Sequence, residues 1–420
     1  MNRNLPIVLL ILLIFFVISF LTNILGPIIP DIIESFDLSL GLAGFLPFSF
    51  FVAYGVMSIP SGLLAEKYHE KKVLIVAFMI AFGGALLFAV FTSFIVALLS
   101  LFIIGIGMAM LQVVINPLLR TAGGESHFAF NSVLGQLAFG AASFLSPMLY
   151  SHLVTHMHTD ASASSLIKFL NPLVPEQLAW VSLYWVFAAI ALVMVLILVF
   201  VRFPKVTLGD DEKINIRGAF KDLIANRRVH LYFLGIFCYV GTEQGIANWI
   251  SKFLQTYHGL DPAIEGAQTI SYFWGLLTIG CLLGLLLLKL MDSKKVLRIF
   301  TGGAILALLL SLFGPTEVAL ITFPLTGFFA SVMWSVIVSL ALNSVPRHHG
   351  TFSGLLCTGI VGGAVVPLII GALADVAGLR WAMLFLLVTL GYVLSIGFWA
   401  KPLVKNATIT SLNDLFKRQS

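Results

Sequence analysis

The chain has 420 residues, of which 59% are hydrophobic and only 10% are charged. A soluble protein of this length needs more surface charge, and the apolar residues form runs too long for the alternating strands of an outer-membrane barrel. The net charge of +5 does not indicate nucleic-acid binding, because the basic residues lie in short loops between the runs. The composition therefore predicts a membrane protein built from spanning helices.

Twelve apolar runs predict an all-α membrane protein with twelve spanning helices, which we label α1 to α12. A bilayer core about 30 Å thick needs roughly 20 residues per helix. The first run is too long for a signal peptide and lacks a small-residue cleavage site, so we interpret it as a spanning helix. The predicted ranges are α1 6–30, α2 41–66, α3 72–92, α4 95–119, α5 128–152, α6 179–202, α7 229–254, α8 266–290, α9 295–313, α10 317–343, α11 350–374 and α12 380–400.

The distribution of lysine and arginine predicts the orientation of these helices. Basic residues concentrate in cytoplasmic loops. With both termini in the cytoplasm, all the lysines and arginines fall on the inside except Lys168, Lys252 and Arg380. We therefore expect a multi-pass protein of the cytoplasmic (inner) membrane with cytoplasmic termini.

The middle of the chain predicts two halves of six helices. A charged segment, 204–228, separates an N-terminal half (1–203) from a C-terminal half (229–403), and a cytoplasmic tail (404–420) follows. We expect a surface amphipathic helix near 214–224, and the outside loop 155–177 is unusually long. Two such halves are typical of transporters built from structural repeats, whose substrate site lies near the bilayer midplane between them.

The loop between α2 and α3 contains a glycine, an acidic residue and a basic cluster: Gly62, Glu66, Lys67, Lys71 and Lys72. The glycine lets helices approach closely, and the carboxylate could pair with basic residues and helix ends across a cytoplasmic gate. The alternative is an ordinary basic loop on the cytoplasmic side. The loop resembles the signature loop of the major facilitator superfamily, although that family usually has aspartate where Glu66 stands.

Ionisable residues inside a membrane are costly and indicate functional sites. Of the 19 acidic residues, only Glu243 lies near the middle of a predicted helix, while Asp31 and Asp375 lie at helix ends and could reach the interface. No lysine or arginine lies deep in a helix, so we expect Glu243 to be protonated in some states or to bind a cation. The alternative is a neutral, hydrogen-bonded structural glutamate.

Amides and aromatic side chains also occur at membrane depth. Amides offer paired donors and acceptors for hydroxyl groups, and an aromatic ring can stack on the apolar face of a sugar. The alternative is that the amides join helices and the tryptophans fill space. The candidate substrate-binding residues are Asn23, Gln112, Asn116, Gln136, Glu243, Gln244, Asn248, Tyr272, Trp274 and Trp334. Cys238, Cys281 and Cys357 have no metal-ligand spacing, so we expect them to be packing residues and predict no metal site.

Several stretches resemble the fucose–proton symporter family of the major facilitator superfamily, which includes bacterial glucose/galactose transporters. They are 237–241 with Glu243, Gln112 with Asn116-Pro117, 326–329, 353–367 and 371–378. The resemblance implies the major facilitator fold and a sugar substrate. The family's coupling carboxylates in α1 and α4 align with Gly26 and Gln112, and a family arginine in α8 aligns with Cys281. The proton relay of that family therefore cannot be assigned to this chain, and Glu243 is the remaining candidate for coupling to an ion.

The leading hypothesis is a secondary active transporter of a sugar or sugar-like polyol. It would work by alternating access, coupled to H⁺ or Na⁺ through Glu243, with no other cofactor, and we expect a monomer. An exporter of amphipathic drugs or lipids is one alternative, which the 36 phenylalanines would permit. An uncoupled sugar uniporter is another. We do not expect an enzyme, because one mid-membrane glutamate does not supply a catalytic cluster.

Overall fold

The fold is described by a computed structural model that covers residues 5–123, 128–158, 164–201, 203, 219–345 and 349–403. Within these ranges the regular structure is helical and no strand is present. The helices form one bundle around a continuous apolar core, as expected of an all-α membrane protein.

Each predicted helix corresponds to one or two helical segments. Eleven spans are long and apolar enough to cross a membrane; α7 is long enough but more polar, so the number twelve stays a prediction. The observed bounds are α1 Leu5–Thr22 and Leu25–Phe36, α2 Leu40–Ala43 and Phe45–Tyr68, α3 Glu70–Val90, α4 Phe94–Gly123, α5 Phe128–His156, α6 Ser182–Phe200, α7 Arg227–His258, α8 Ala267–Leu290, α9 Ser293–Phe313, α10 Thr316–Ala330 and Met333–Leu342, α11 His349–Thr358 and Gly362–Ala377, and α12 Leu379–Ala382 and Phe385–Trp399.

Several helices extend beyond their predicted ends, and α1 and α7 show the reason. The α1 helix continues past residue 30 to Phe36 and stops where Asp37 adopts a left-handed conformation, with φ of 49°. The α7 helix continues past residue 254 to His258 and stops at Gly259, with φ of 66°. Runs of apolar residues end where polar residues begin, whereas a helix ends where the backbone leaves helical geometry, so the two boundaries differ.

Short helices lie in both long connections. The helix Ala219–Ala225 falls in the segment where we expected a surface amphipathic helix; residues 214–218 lie outside the described part of the chain. The loop between α5 and α6 contains the helix Ser165–Leu170, which Ser164 caps by accepting a hydrogen bond from the backbone of Ile167.

The packing of the first six helices recurs in the last six. In the first half α1 packs on α5, α2 on α4 and α3 on α6; in the second half α7 packs on α11, α8 on α10 and α9 on α12. One polar contact recurs as well. Lys71 of α3 donates to the carbonyl of Val201 after α6 at 2.7 Å, and Lys294 of α9 donates to the carbonyl of Ala400 after α12 at 2.8 Å. The two halves therefore share one packing plan.

The halves meet tightly at one end of the bundle, which we call the sealed end. The first segment of α1 packs against α4 and α5 of its own half, whereas the second, Leu25–Phe36, packs against α7. There, a Cβ atom on Gly26 would overlap the backbone oxygen of Ala247. Nearby, Asp375 of α11 accepts a 2.9 Å hydrogen bond from the backbone nitrogen of Gly41 at the start of α2. Asp375 therefore bridges the two halves as well as lying at a helix end.

The contact at Gly26 predicts the effect of adding one methyl group. Gly26→Ala should push α1 away from α7 and destabilise this arrangement by roughly 1–3 kcal/mol, because the new atom meets backbone rather than a flexible side chain. Thermal unfolding of the purified protein in detergent would measure the loss. Gly83→Ala is the matched control, since nothing lies within 4 Å of its new methyl group. Equal stability of the two variants would contradict the prediction.

Candidate functional site

The side chains that hold Glu243 come from its own helix. Tyr239, one turn earlier on α7, donates its hydroxyl proton to Oε2 of Glu243, and Gln244 donates from Nε2 to Oε1 at 3.2 Å. Glu243 is half-buried, and in the described part of the chain no lysine, arginine or histidine pairs with it. The carboxylate is therefore satisfied by neutral hydrogen-bond donors.

This arrangement suits a carboxyl group that changes its protonation state. An ionised carboxylate only accepts hydrogen bonds, whereas a protonated one also donates. The Tyr239 hydroxyl can donate or accept, so it can remain a partner of either form. A fixed cation beside Glu243 would instead favour the ionised form at all times.

Groups from α8 and α10 border the same carboxylate. The ring of Trp334 lies 6.3 Å from the ring of Tyr239, measured between centroids. Cys281 interacts electrostatically with both Tyr239 and Glu243, and its thiol donates to the backbone oxygen of Ser331 at 3.3 Å. Trp334 therefore lies beside the phenol that holds Glu243, and the thiol of Cys281 lies within electrostatic range of the pair.

Residues of the first half approach from the other side. Tyr54 of α2 donates to the side-chain oxygen of Gln112 at 3.3 Å, and its ring stacks on Phe51 with centroids 6.0 Å apart. A Cβ atom on Gly363 of α11 would lie 3.1 Å from Gln244 and 3.2 Å from Phe51. Phe51 and Gln244 therefore flank the same glycine. This contact links Phe51, Tyr54 and Gln112 of the first half to Gln244 and Glu243 of the second.

Asn23 and Gln136 differ in their surroundings. Asn23, at the break in α1, donates to the hydroxyl of Ser143 on α5 at 2.8 Å, and Ser143 lies 2.5 Å from the hydroxyl of Ser19. These buried groups join α1 to α5, as the helix-joining alternative expects. Gln136 lies two turns before Ser143 on α5 and is exposed.

Asn248 and Trp274 are buried with unused hydrogen-bond donors. Asn248 is 2% exposed and Trp274 is 3% exposed, yet the amide nitrogen of Asn248 and the indole nitrogen of Trp274 have no partner. Unsatisfied buried donors are rare in native proteins and call for an explanation such as a bound molecule. The side chain of Asn116 lies outside the described part of the structure.

Tyr272 does not join the other candidates. Its side chain is 43% exposed, and its hydroxyl accepts a 2.8 Å hydrogen bond from Gln268. By helical spacing it shares a face of α8 with the exposed residues Ile279 and Leu286, whereas Trp274 is buried. Its ring lies 6.5 Å from the ring of Phe144 on α5, measured between centroids, and the expectation that Tyr272 lines a central site stays a prediction.

The expected gate residues make contacts within their own half. Lys71 donates to the carbonyls of Val199 and Val201 at 2.9 and 2.7 Å, and Lys67 lies 5.1 Å from the centre of the Tyr68 ring. Gly62 is half-buried, Lys72 is exposed, and the side chain of Glu66 lies outside the described part of the structure. A gating contact between the halves through these residues stays a prediction.

A cavity of about 360 Å³ lies between α5 and α8. Its lining is apolar apart from Thr278, whose hydroxyl already donates to the backbone of Trp274 at 2.9 Å. None of the candidate residues lines it. The lining residues are Leu137, Gly140, Ala141, Phe144, Gly275 and Thr278.

Sequence reasoning did not select Tyr239, Phe51 or Tyr54. Tyr239 lies four residues before Glu243, so helical spacing alone could have identified it as a partner. Phe51 and Tyr54 lie on α2, in the other half, and no local pattern connects them with Gln112 or Gln244. Only the packed helices bring them together.

Comparison with known proteins gives consistent results. The model of the Major Facilitator Superfamily matches residues 11–360. A glucose/galactose transporter of Brucella abortus biovar 1 is 29% identical over 394 residues, covering 91% of this chain and 90% of the relative. The L-fucose-proton symporter of Escherichia coli K12 is 26% identical over 387 residues, covering 87% and 86%.

Two solved structures share the fold. The crystal structure of the fucose:proton symporter of Escherichia coli matches with a TM-score of 0.67 and 23% identity, covering 94% of this chain and 98% of that one. A bacterial homologue of the human lysosomal transporter Spinster matches with a TM-score of 0.77 and 17% identity, covering 94% and 96%.

The pair Tyr239–Glu243 predicts a measurable coupling. Tyr239→Phe and Glu243→Gln should each destabilise the protein, and the double variant should lose less than the sum, because Tyr239→Phe removes the hydrogen bond that Glu243→Gln weakens by taking away the carboxylate charge. We expect a coupling of roughly 1–3 kcal/mol from thermal or chemical unfolding in detergent. Tyr184→Phe is a control, since its buried hydroxyl has no partner and its removal should cost little. Strictly additive losses would refute the pairing.

Proposed function

Because the chain belongs to the Major Facilitator Superfamily, we propose that it moves a sugar or sugar-like polyol across the cytoplasmic membrane, coupled to an ion. The protein is a multi-pass membrane transporter and not an enzyme. The sugar rests on the relatives, which are named glucose/galactose transporter and L-fucose-proton symporter. The observation that carries the coupling is Glu243, held by Tyr239 and Gln244 without a cationic partner.

The polar groups among the candidate residues match the chemistry of a polyol. Asn248 and Trp274 offer buried donors without partners, and Gln244 and Gln112 offer amide groups on opposite halves of the bundle. Trp334 and Tyr239 present adjacent rings that can cover the apolar face of a sugar ring. A sugar bound here would satisfy the unused donors of Asn248 and Trp274, which favours a polyol over a purely apolar drug.

A proton is the coupling ion that we propose. A sodium ion needs several oxygen ligands, whereas the described surroundings of Glu243 supply one carboxylate, one phenol, an amide and a thiol neighbour. A proton needs only the carboxylate and a partner that tolerates both of its states. Tyr239 is such a partner.

Alternating access would use the sealed end. With the predicted cytoplasmic termini, the sealed end faces the outside, so this arrangement is closed to the outside. Reaching the outward-facing state requires the contacts Gly26–Ala247 and Gly41–Asp375 to separate while the other end closes. The two halves would rock about the site between them.

The variant Glu243→Gln tests the coupling. It keeps the shape of the side chain but cannot exchange a proton, so proton-driven accumulation of sugar in proteoliposomes should fall to equilibration. Exchange of labelled for unlabelled sugar should continue, because exchange needs no net proton movement. Glu317→Gln, an exposed change at the start of α10, is the matched control. Unaltered accumulation by Glu243→Gln would refute coupling through this residue.

A ligand screen tests the substrate class. A ligand that binds the folded protein raises the unfolding temperature. At a ligand concentration of 100 times Kd, the free energy of unfolding increases by about 2.7 kcal/mol. We expect sugars to stabilise the purified protein and hydrophobic cations to leave it unchanged, with or without Na⁺. Stabilisation by hydrophobic cations alone would favour the drug exporter. Sugar stabilisation together with uptake that never exceeds equilibration would favour the uniporter.

A further inference from the structure

A second carboxyl–phenol pair lies at the sealed end, away from Glu243. Asp31, on the second segment of α1, accepts a hydrogen bond from the hydroxyl of Tyr150 on α5. Tyr150 is fully buried, at 0% exposure, and Asp31 is half-buried. Instead of reaching the membrane interface as a free helix-end residue, Asp31 is held inside the bundle by a neutral partner.

The charges that act on Asp31 are negative. In the described part of the chain they belong to Glu34, one turn later on α1, and to Asp261, in the turn before α8 of the other half. Lys252 of α7 acts on Glu34 and donates to Gln255 at 2.8 Å. An ionised Asp31 is thus repelled by its own helix and by the opposite half.

The repulsion across the halves depends on closure. Gly26, five residues before Asp31 on the same helix segment, lies against the backbone of Ala247 when this end is sealed. Asp261 is fixed in place because its carboxylate accepts from the backbone nitrogens of Ala263 and Ile264 at 2.7 and 3.2 Å. The second segment of α1 also packs against the turn Pro262–Gly266, which directly follows Asp261. Sealing therefore brings the Asp31 carboxyl group towards a fixed carboxylate, and opening separates them.

We propose that Asp31, together with Tyr150, is a second proton-binding site, which binds a proton from the outside as the sealed end closes. The proton removes the charge of Asp31 and the repulsion from Asp261, so it favours the closed arrangement. Tyr150 remains hydrogen-bonded in both states, since a phenol can donate to a carboxylate or accept from a carboxylic acid. On reopening, the proton returns to the outside, so this site sets the response to external pH and adds nothing to the number of protons transported.

This inference rests on the proposed alternating access but not on sugar or on Glu243. A reporter cysteine, Ala247→Cys, placed in a background with Cys238, Cys281 and Cys357 changed to serine, measures opening of the sealed end. In proteoliposomes without sugar, an impermeant maleimide should label it faster as the external pH rises. Rates are normalised to Ser165→Cys, an exposed position in the loop after α5, which corrects for the pH dependence of the thiol itself.

Asp31→Asn mimics the protonated acid. The labelling rate of this variant at alkaline pH should be roughly tenfold lower than that of the wild type, because a pKa difference of one unit between the open and closed arrangements changes their equilibrium tenfold. The rate should also no longer depend on pH. Glu34→Gln removes a repulsive charge on the same helix, so it should move the midpoint to lower pH but keep the pH dependence itself. Tyr150→Phe removes a donor to the ionised form, so the midpoint should move to higher pH. A wild-type pH dependence in Asp31→Asn would overturn the proposal.

A second variant covers the case in which Asp31→Asn does not fold. Asp261→Asn removes the opposing charge while keeping an oxygen that caps the following turn. It should also slow labelling at alkaline pH, and unchanged labelling would count against the proposal. The sugar accumulation ratio should stay at its wild-type value in Asp31→Asn. If Asp31→Asn alters labelling as expected but Glu243→Gln leaves sugar accumulation unchanged, the proposed coupling through Glu243 is refuted and the proposal for Asp31 stands.

Discussion

A polar group inside a membrane must find its partner within the protein, because lipid supplies none. In this bundle that requirement falls most heavily on Glu243, in the helix that is least apolar of the twelve. Its partners, Tyr239 and Gln244, come from the same helix, so the carboxyl group is satisfied before any contact with the other half. The second half can therefore hold an acid without a permanent counter-charge, and the acid remains free to respond to an ion.

The same chemical solution occurs twice. Asp31 with Tyr150 and Glu243 with Tyr239 are both carboxyl–phenol pairs, one in each half. They differ in what faces them. The ring of Trp334 lies beside the phenol that holds Glu243, whereas the charges that act on Asp31 are those of Glu34 and Asp261. The first pair is placed to respond to a substrate between the halves, and the second to respond to the approach of the halves themselves.

The tightness of the sealed end depends on the absence of side chains. Gly26 lets α1 meet the backbone of α7, and Gly371 lets α11 meet the backbone of α2 near Leu40. The position of Gly26 is thus occupied by a backbone contact. A longer side chain at residue 26 would collide with Ala247 in this arrangement.

The sequence by itself determined the membrane helices, their approximate bounds and the isolation of Glu243, because long apolar runs and the cost of buried charge are local properties that composition reveals. Tertiary structure alone decided which candidates meet. It joined Gln112 to Tyr54 and set Gln244 near Phe51, while it turned Tyr272 to the exposed face of α8. It also showed that Asp31, which the sequence placed at a helix end, is held by Tyr150, 119 residues away along the chain. Such pairs depend on the rotation and packing of helices from distant parts of the chain, which no local pattern encodes.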